Sequence, residues 1–301
     1  MYVLETKNMT KTFGGVPVVN RLNLNIREGV CTALLGPNGA GKTTTLSMLG
    51  GLLKPSDGKV IFKDQEETDH RQMIGYLPQY PAFYGWMSGI EYLVYVGQLC
   101  GLSKKEAIRK GEDLLSLVGL TDGAKKKIAG YSGGMKQRLG IAQALINDPK
   151  VVMLDEPVSA LDPHGRREVL ELMRELKTKT TILFSTHVLH DAEEICDDIY
   201  IMKEGEVVAE GTLGELQRNY QQPAIHIETE REIKQWSSTL LEKEWVRHMD
   251  VKGKAVTLTV SDLTLSREAI LQDPKFHGLA PVRFEIVKTS LEDLFMQVTK
   301  S

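Results

Sequence analysis

Cysteine is scarce, with three in 301 residues at Cys31, Cys100 and Cys196. They are odd in number, far apart and form no CxxC pair, which argues against a disulfide framework or a cysteine zinc site and points to a reducing cytosol. Charge of one sign is also lacking. With 37 basic residues against 40 acidic, the formal net charge of −3 gives no electrostatic reason to expect a nucleic acid or an anionic membrane as partner. No run approaches the ~20 apolar residues that span a bilayer. The opening MYVLETKNMTKTF lacks the charged-then-apolar order of a signal peptide. A soluble chain is expected, one that reaches a membrane only through another subunit.

What is present reads as α/β. Apolar runs CTALLG from Cys31, KVVMLDE from Lys150 and TTILFST from Thr180 alternate with segments of helical period, as buried parallel strands with crossover helices would give. One crossover is well marked: Asp162 is placed as N-cap, Pro163 as the first helical residue, and Val169, Leu172, Met173 and Leu176 recur at helical spacing. Between Gln79 and Ser132 the pattern turns helical without strands. Ser88 with Glu91 and Ser103 with Glu106 each spell a capping box, and Gly119 ends the second run. This stretch opens with Tyr76, Tyr80, Phe83, Tyr84, Trp86, Tyr92 and Tyr95, seven of the chain's nineteen aromatics. Packing within the insert accounts for about half of them, and the rest suggest a docking surface.

After about Gln221 the segments AIHIE, REIKQWSSTLLEKE, a hairpin around Lys252–Lys254, a short helix near Arg267–Gln272 and VRFEIVK succeed one another in the order β-α-β-β-α-β. That order suggests a small α+β module of the split βαβ, ferredoxin-like kind. A last helix, SLEDLFMQVT, has Leu291, Leu294, Phe295 and Val298 on one face.

The chemistry concentrates in the first part. Gly36–Thr43, GPNGAGKT, fits G-x-x-x-x-G-K-[ST] between an apolar run and a helical one. Backbone N–H groups of such a loop face phosphates, Lys42 supplies charge to the β- and γ-phosphates, and Thr43 can ligate Mg²⁺. The run KVVMLDEP puts Asp155 at a strand end, where its carboxylate can reach that ion, and Glu156 beside it to polarise a water. The Gln79 amide could also reach Mg²⁺. His187 comes directly after TTILFST and could bond the γ-phosphate or the attacking water; a structural histidine, or a metal ligand with His190 and Glu193 or Glu194, are the other readings. YSGGMKQRL poses a separate problem, because Gly133 and Gly134 at a helix start each disfavour helix by about 1 kcal/mol. Something must approach that backbone closely.

Taken in order, Gly36–Thr43, Gln79, YSGGM, VVMLDEP, Ser159–Asp162 and His187 resemble the ATP-binding cassette (ABC) family over residues 1 to about 220. The resemblance implies a P-loop NTPase core with a helical insert at about 80–131, then an accessory domain at 221–301. It implies that ATP and Mg²⁺ are bound. Phe13 would stack on adenine, and Gly36, Pro37, Asn38, Gly39, Ala40, Gly41, Lys42, Thr43, Thr44 and Gln79 would hold the nucleotide. Thr43, Gln79 and Asp155 would hold the metal, and Glu156 and His187 would act in catalysis. Ser132, Gly133 and Gly134 would close on the γ-phosphate of ATP in a second subunit, with Asp162 coupling the two sites, which answers the glycine problem. Tyr131 and Met135 depart from the family's common Leu-Ser-Gly-Gly-Gln. The tail resembles that of ATPase chains serving two-component ABC-2-type exporters, unlike the β-rich tails of sugar importers.

The resemblance therefore implies an ATPase on the cytoplasmic face of a membrane, dimerising with a copy or a paralogue, driving a separate transmembrane permease and binding no nucleic acid. The rival is a soluble ABC ATPase acting on a ribosome or DNA; such families usually carry tandem cassettes or a long coiled-coil insert, and this chain has neither. A regulatory module that binds ATP and barely turns it over is disfavoured by Glu156 and His187.

Overall fold

The apolar runs become strands, and the helical periods pack on them. In chain order the elements are β1 (Tyr2–Phe13), β2 (Val16–Leu22), β3 (Asn25–Arg27), β4 (Cys31–Leu35), α1 (Lys42–Leu49), β5 (Asp57–Phe62), β6 (Ile74–Leu77), α2 (Gly89–Leu99), α3 (Lys104–Leu117), α4 (Gly133–Leu145), β7 (Val151–Asp155), α5 (Pro163–Leu176), β8 (Thr181–Thr186), α6 (Leu189–Ile195), β9 (Asp198–Lys203) and β10 (Glu206–Thr212). They continue with α7 (Leu213–Tyr220), β11 (Pro223–Thr229), α8 (Lys234–Leu240), β12 (Val246–Lys252), β13 (Ala255–Val260), α9 (Leu263–Leu271), α10 (Pro274–His277) and β14 (Pro281–Lys288). The computed structural model describes all residues except 64–68, 221–222, 289–294 and 296–301. Two compact units result, Met1–Leu213 and Gly214–Ser301. The change of character read near Gln221 falls one helix earlier in the fold, because nearly all of α7 groups with the second unit.

In the first unit a six-stranded sheet has the order β10-β9-β4-β8-β7-β6. Its strands from β9 to β6 are parallel, and β10 returns antiparallel on β9. CTALL, VVMLD and TILFST are buried at every position, as strands covered on both faces must be. A second, antiparallel sheet joins β2, β1 and β3, with β5 also on β1. The sequence reading lacks this sheet, because register shifts along β1 break the two-residue alternation that marks a strand. Leu24 and Phe62 of this region share one core with Leu46 and Leu49 of α1 and with Leu34, Met153 and Leu183 of the parallel sheet. That shared core fixes α1, and hence the loop before it, against both sheets.

Both capping boxes form as the spacing predicts. The Ser88 N–H donates to Glu91 Oε2 at 2.7 Å and the Glu91 N–H returns to Ser88 Oγ at 3.4 Å; at Ser103 and Glu106 the distances are 3.0 and 3.3 Å. Gly119 lies just past α3 with φ +65°, the left-handed conformation that ends a helix. Asp162 caps α5 by accepting the Gly165 N–H at 3.1 Å, with Pro163 next in the first turn.

After α7 the elements of the second unit run β-α-β-β-α-α-β, and the sheet order is β12-β13-β11-β14 with every neighbouring pair antiparallel. Ile225, Ile227, Trp236, Leu258, Ile270 and Phe276 form its core. Helix α8 is shorter than REIKQWSSTLLEKE suggests, and α9 begins before Arg267. The expected last helix, SLEDLFMQVT, lies outside the described residues apart from Phe295, which is helical.

Candidate functional site

Strand β4 ends at Leu35, and the chain turns through residues 36–41 into α1. Gly41 is the N-cap of α1 with φ +96°, and a Cβ there would lie 2.7 Å from the Val18 carbonyl oxygen. A Cβ on Gly36 would lie 2.5 Å from the Met202 carbonyl oxygen. The chain's own packing demands glycine at both positions. Helix α1 has no acidic residue in its first turn, so its positive end is open to an anion. Asn38, Gly39, Gly41, Lys42, Thr43 and Thr44 line a cleft of about 360 Å³ together with Val18, Gln79 and Glu156.

Lys42 is buried, and its Nζ donates to the Gly36 and Pro37 carbonyls at 2.8 and 3.0 Å while lying 3.8 Å from Glu156 Oε1. Burial pushes its pKa below the ordinary 10.5, and the carboxylates of Glu156 and then Asp155 pull it back up. Glu156 carries φ +47° directly after β7, a conformation that is uncommon for a non-glycine residue and strained. Its carboxylate gathers three side chains: Lys42, the Gln79 amide, which donates to Oε2 at 3.1 Å, and His187 Nδ1 at 3.3 Å from Oε1.

Ser185 ties the two carboxylate residues together. It sits opposite Asp155 in the β7/β8 register, donates to Asp155 Oδ1 at 2.6 Å and accepts the Glu156 N–H at 2.9 Å. Asp155 Oδ2 is buried and has no partner among the described residues. An orphaned buried carboxylate oxygen, a threonine hydroxyl at the start of α1 and the Gln79 carbonyl make an all-oxygen donor set that suits Mg²⁺. Among the described residues no group of three His, Cys, Asp or Glu side chains could hold a metal, so His187, His190, Glu193 and Glu194 do not form that alternative centre.

Other expected residues lie off the cleft lining. Ala40 is buried behind the loop. Phe13 is 51% exposed at the end of β1, with Lys11 Nζ 5.3 Å from its ring centroid, and belongs to the same hairpin as Val18. Ser132 caps α4 by accepting the Met135 N–H at 3.2 Å. A Cβ on Gly133 would come no closer than 3.8 Å to Leu161, and one on Gly134 no closer than 3.8 Å to Gly165; neither glycine has a positive φ. Nothing among the described residues requires glycine there. Ser132, Gly133, Gly134 and Asp162 do not line the cleft of their own chain.

The aromatic segment divides as the composition suggests. Tyr92 is buried and donates to Gln143 Oε1 at 2.8 Å, whereas Tyr80 and Trp86 are 78% and 71% exposed. Phe83, Tyr84, Tyr92 and Tyr95 line a second cleft of about 370 Å³ with Val96, Leu99 and Gln143. Val18 and Ser185 are the functional-site residues that sequence reasoning misses. Their roles come from a neighbouring hairpin and from strand register, neither of which leaves a local pattern.

The family model described as "ABC transporter" matches residues 19–159, and that of the "ATP-binding protein DrrA1-3-like, C-terminal domain" matches residues 211–299. The chain is 46% identical to the uncharacterized ABC transporter ATP-binding protein YxlF of Bacillus subtilis (strain 168), over 98% of this chain and 99% of that one. It is 35% identical to the bacitracin transport ATP-binding protein BcrA of Enterococcus faecalis (99% and 96%) and 32% identical to the daunorubicin/doxorubicin resistance ATP-binding protein DrrA of Streptomyces peucetius (98% and 92%). Among solved structures, the dimeric post-hydrolysis state of the cassette MJ0796 bound to ADP and Pi is 28% identical with TM-score 0.63, over 70% of this chain and 98% of that one.

Proposed function

The chain belongs to the ABC transporter ATP-binding family, and from that premise we propose how its residues hydrolyse ATP and what the hydrolysis drives. Residues 1–220 act as the ATP-binding domain, and residues 221–301 as an accessory domain whose strand order supports a ferredoxin-like reading. ATP lies along the cleft. The 36–44 loop and the start of α1 hold its phosphates, and Phe13 stacks on adenine. Mg²⁺ held by Thr43, Asp155 and Gln79 would neutralise charge on the β- and γ-phosphate oxygens. Glu156 accepts a proton from the water that attacks the γ-phosphorus in line with the leaving ADP oxygen, and His187 bonds the γ-phosphate and steadies that water.

Two such chains, or this chain and a paralogue, face each other around two ATP molecules. Ser132, Gly133 and Gly134 of each close on the γ-phosphate bound to the other, and Asp162 couples the two sites. The dimer works on the cytoplasmic face of a membrane through a separate permease, docked at the aromatic segment from Tyr80 to Tyr95. Relatives named for bacitracin transport and for daunorubicin/doxorubicin resistance favour export. Among the described residues no helix is long and apolar enough to cross a membrane, consistent with a permease on a separate chain.

The observation that carries the reading is the convergence of Lys42, Gln79 and His187 on the buried, strained Glu156. The test is Glu156→Gln, which keeps the shape and removes the proton acceptor. ATP binding should persist while the single-turnover hydrolysis rate falls by at least about a hundredfold. Hydrolysis at the wild-type rate would remove Glu156 from the mechanism.

A further inference from the structure

Helices α5 and α6 each start just after a residue of the site: α5 after Asp162, and α6 two residues after His187. Arg166, in the second turn of α5, donates Nε and Nη2 to one oxygen of Asp191, Oδ1, at 2.8 and 2.5 Å. Asp191, in the first turn of α6, is fully buried, and its Oδ2 has no partner among the described residues. A fork that could bind both carboxylate oxygens instead binds one. A buried carboxylate held this way is poor evidence of stabilisation, since apolar residues of similar volume usually serve a core as well or better. Its position offers a better reason. The Arg166 backbone N–H donates to the Asp162 carbonyl at 2.9 Å, so one residue contacts Asp162 through its main chain and the His187 segment through its side chain. On the other side of His187, Thr186 Oγ1 accepts the Val188 N–H at 2.9 Å, so the histidine is held from both directions. Farther along the same two helices Arg174 pairs with Glu194 at 2.8 Å at the surface, and just past their ends Lys177 pairs with Asp197 at 3.1 Å, part-buried.

We propose that Arg166 and Asp191 are positioning residues that lock the Asp162 turn to the His187 turn, so that His187 stays at Glu156 and moves together with the segment that faces the second subunit. Neither residue lines the cleft, so loss of the pair should leave ATP binding intact and slow the chemical step. This inference rests on the roles given above to His187 and Asp162.

The test uses the full chain and four variants: Arg166→Lys, Asp191→Asn, the apolar pair Arg166→Met with Asp191→Leu, and His187→Ala as control. Thermal midpoint, KM for ATP and kcat are measured for each. The apolar pair should keep the wild-type thermal midpoint and a KM within about twofold, yet lose about tenfold in kcat. Arg166→Lys, which keeps the charge and loses the fork, should recover part of that loss. Should Asp191→Asn fail to fold, the apolar pair and Arg166→Lys carry the comparison. Wild-type kcat in the apolar pair, with His187→Ala impaired, would overturn the clamp and leave the site reading standing. Unchanged kcat in His187→Ala would overturn both.

Discussion

Helices α2 and α3 begin Ser-x-x-Glu and close on themselves, with Glu91 and Glu106 returning to the serine N–H groups. Helix α4 begins Ser132-Gly133-Gly134-Met135. It keeps the serine cap, has no carboxylate in its first turn and carries two glycines, Gly133 exposed and Gly134 half-buried, that its own packing does not require. The 36–41 loop shows the opposite case, since Gly36 and Gly41 are pressed against the Met202 and Val18 carbonyls of the same chain. Both glycine-containing starts leave a helix N-terminus open to an anion, but only the loop before α1 is explained by its own chain. The glycines of α4 make sense if what approaches them comes from outside.

Substitution at the two kinds of glycine separates these cases most strongly. Gly41→Ala forces a side chain into a left-handed backbone 2.7 Å from a carbonyl oxygen. It should destabilise the first unit by about 2–4 kcal/mol and abolish ATP binding. Gly134→Ala has room and an ordinary φ, and should leave the denaturation midpoint unchanged or slightly raised. Equal destabilisation by the two would erase the contrast. Met135→Glu is gentler: it supplies the carboxylate that α2 and α3 have. The α4 start should gain up to about 1 kcal/mol in the isolated chain. Hydrolysis by the dimer should fall about tenfold, because the new charge opposes the incoming γ-phosphate. Unchanged turnover would mean that no anion arrives there.

The smallest effect belongs to the closed helices. The Ser88 backbone N–H, then the Ser88 hydroxyl, then Lys127 hold the Glu91 pKa down to about 2 from the ordinary 4.5. The folded-state pKa is depressed, so this contribution is fully present above pH 4.5 and disappears as the pH falls toward 2. Thermal midpoints of wild type and Glu91→Gln should differ slightly at neutral pH and converge on acidification. A gap that widens with acid would contradict the capping role.

How far the sequence told this in advance depends on how local each signal is. Capping boxes, the Asp162–Pro163 helix start and the phosphate loop are written within a few consecutive residues, and they appear where the spacing puts them. The β-α-β-β-α-β order that follows α7 was legible for the same reason, apart from the short α10. What depends on register or on meetings between distant elements was not. Ser185 reaches Asp155 and Glu156 only because β7 and β8 pair Asp155 with Ser185, and Val18 reaches the cleft only because its hairpin packs on Gly41. Arg166 and Asp191 meet across two helices, 25 residues apart, and form no local sequence pattern. The antiparallel sheet around β1 was hidden by register shifts that interrupt its alternation.

The central claim is that α4 of one chain completes the site of another, and complementation between two disabled chains tests it most directly. One chain carries Lys42→Ala and the other Gly133→Asp, each with a different tag, and mixed dimers are purified on both tags in the presence of the permease. In the mixed dimer the intact α4 start of the Lys42→Ala chain faces the intact loop of the Gly133→Asp chain, while the opposite site carries both lesions. The account predicts ATP-dependent closure in the mixed dimer, with near-total loss in each parent homodimer. Mixed dimers that form and yet show no closure beyond the parents would contradict it, because a site completed within one chain leaves neither polypeptide with both halves.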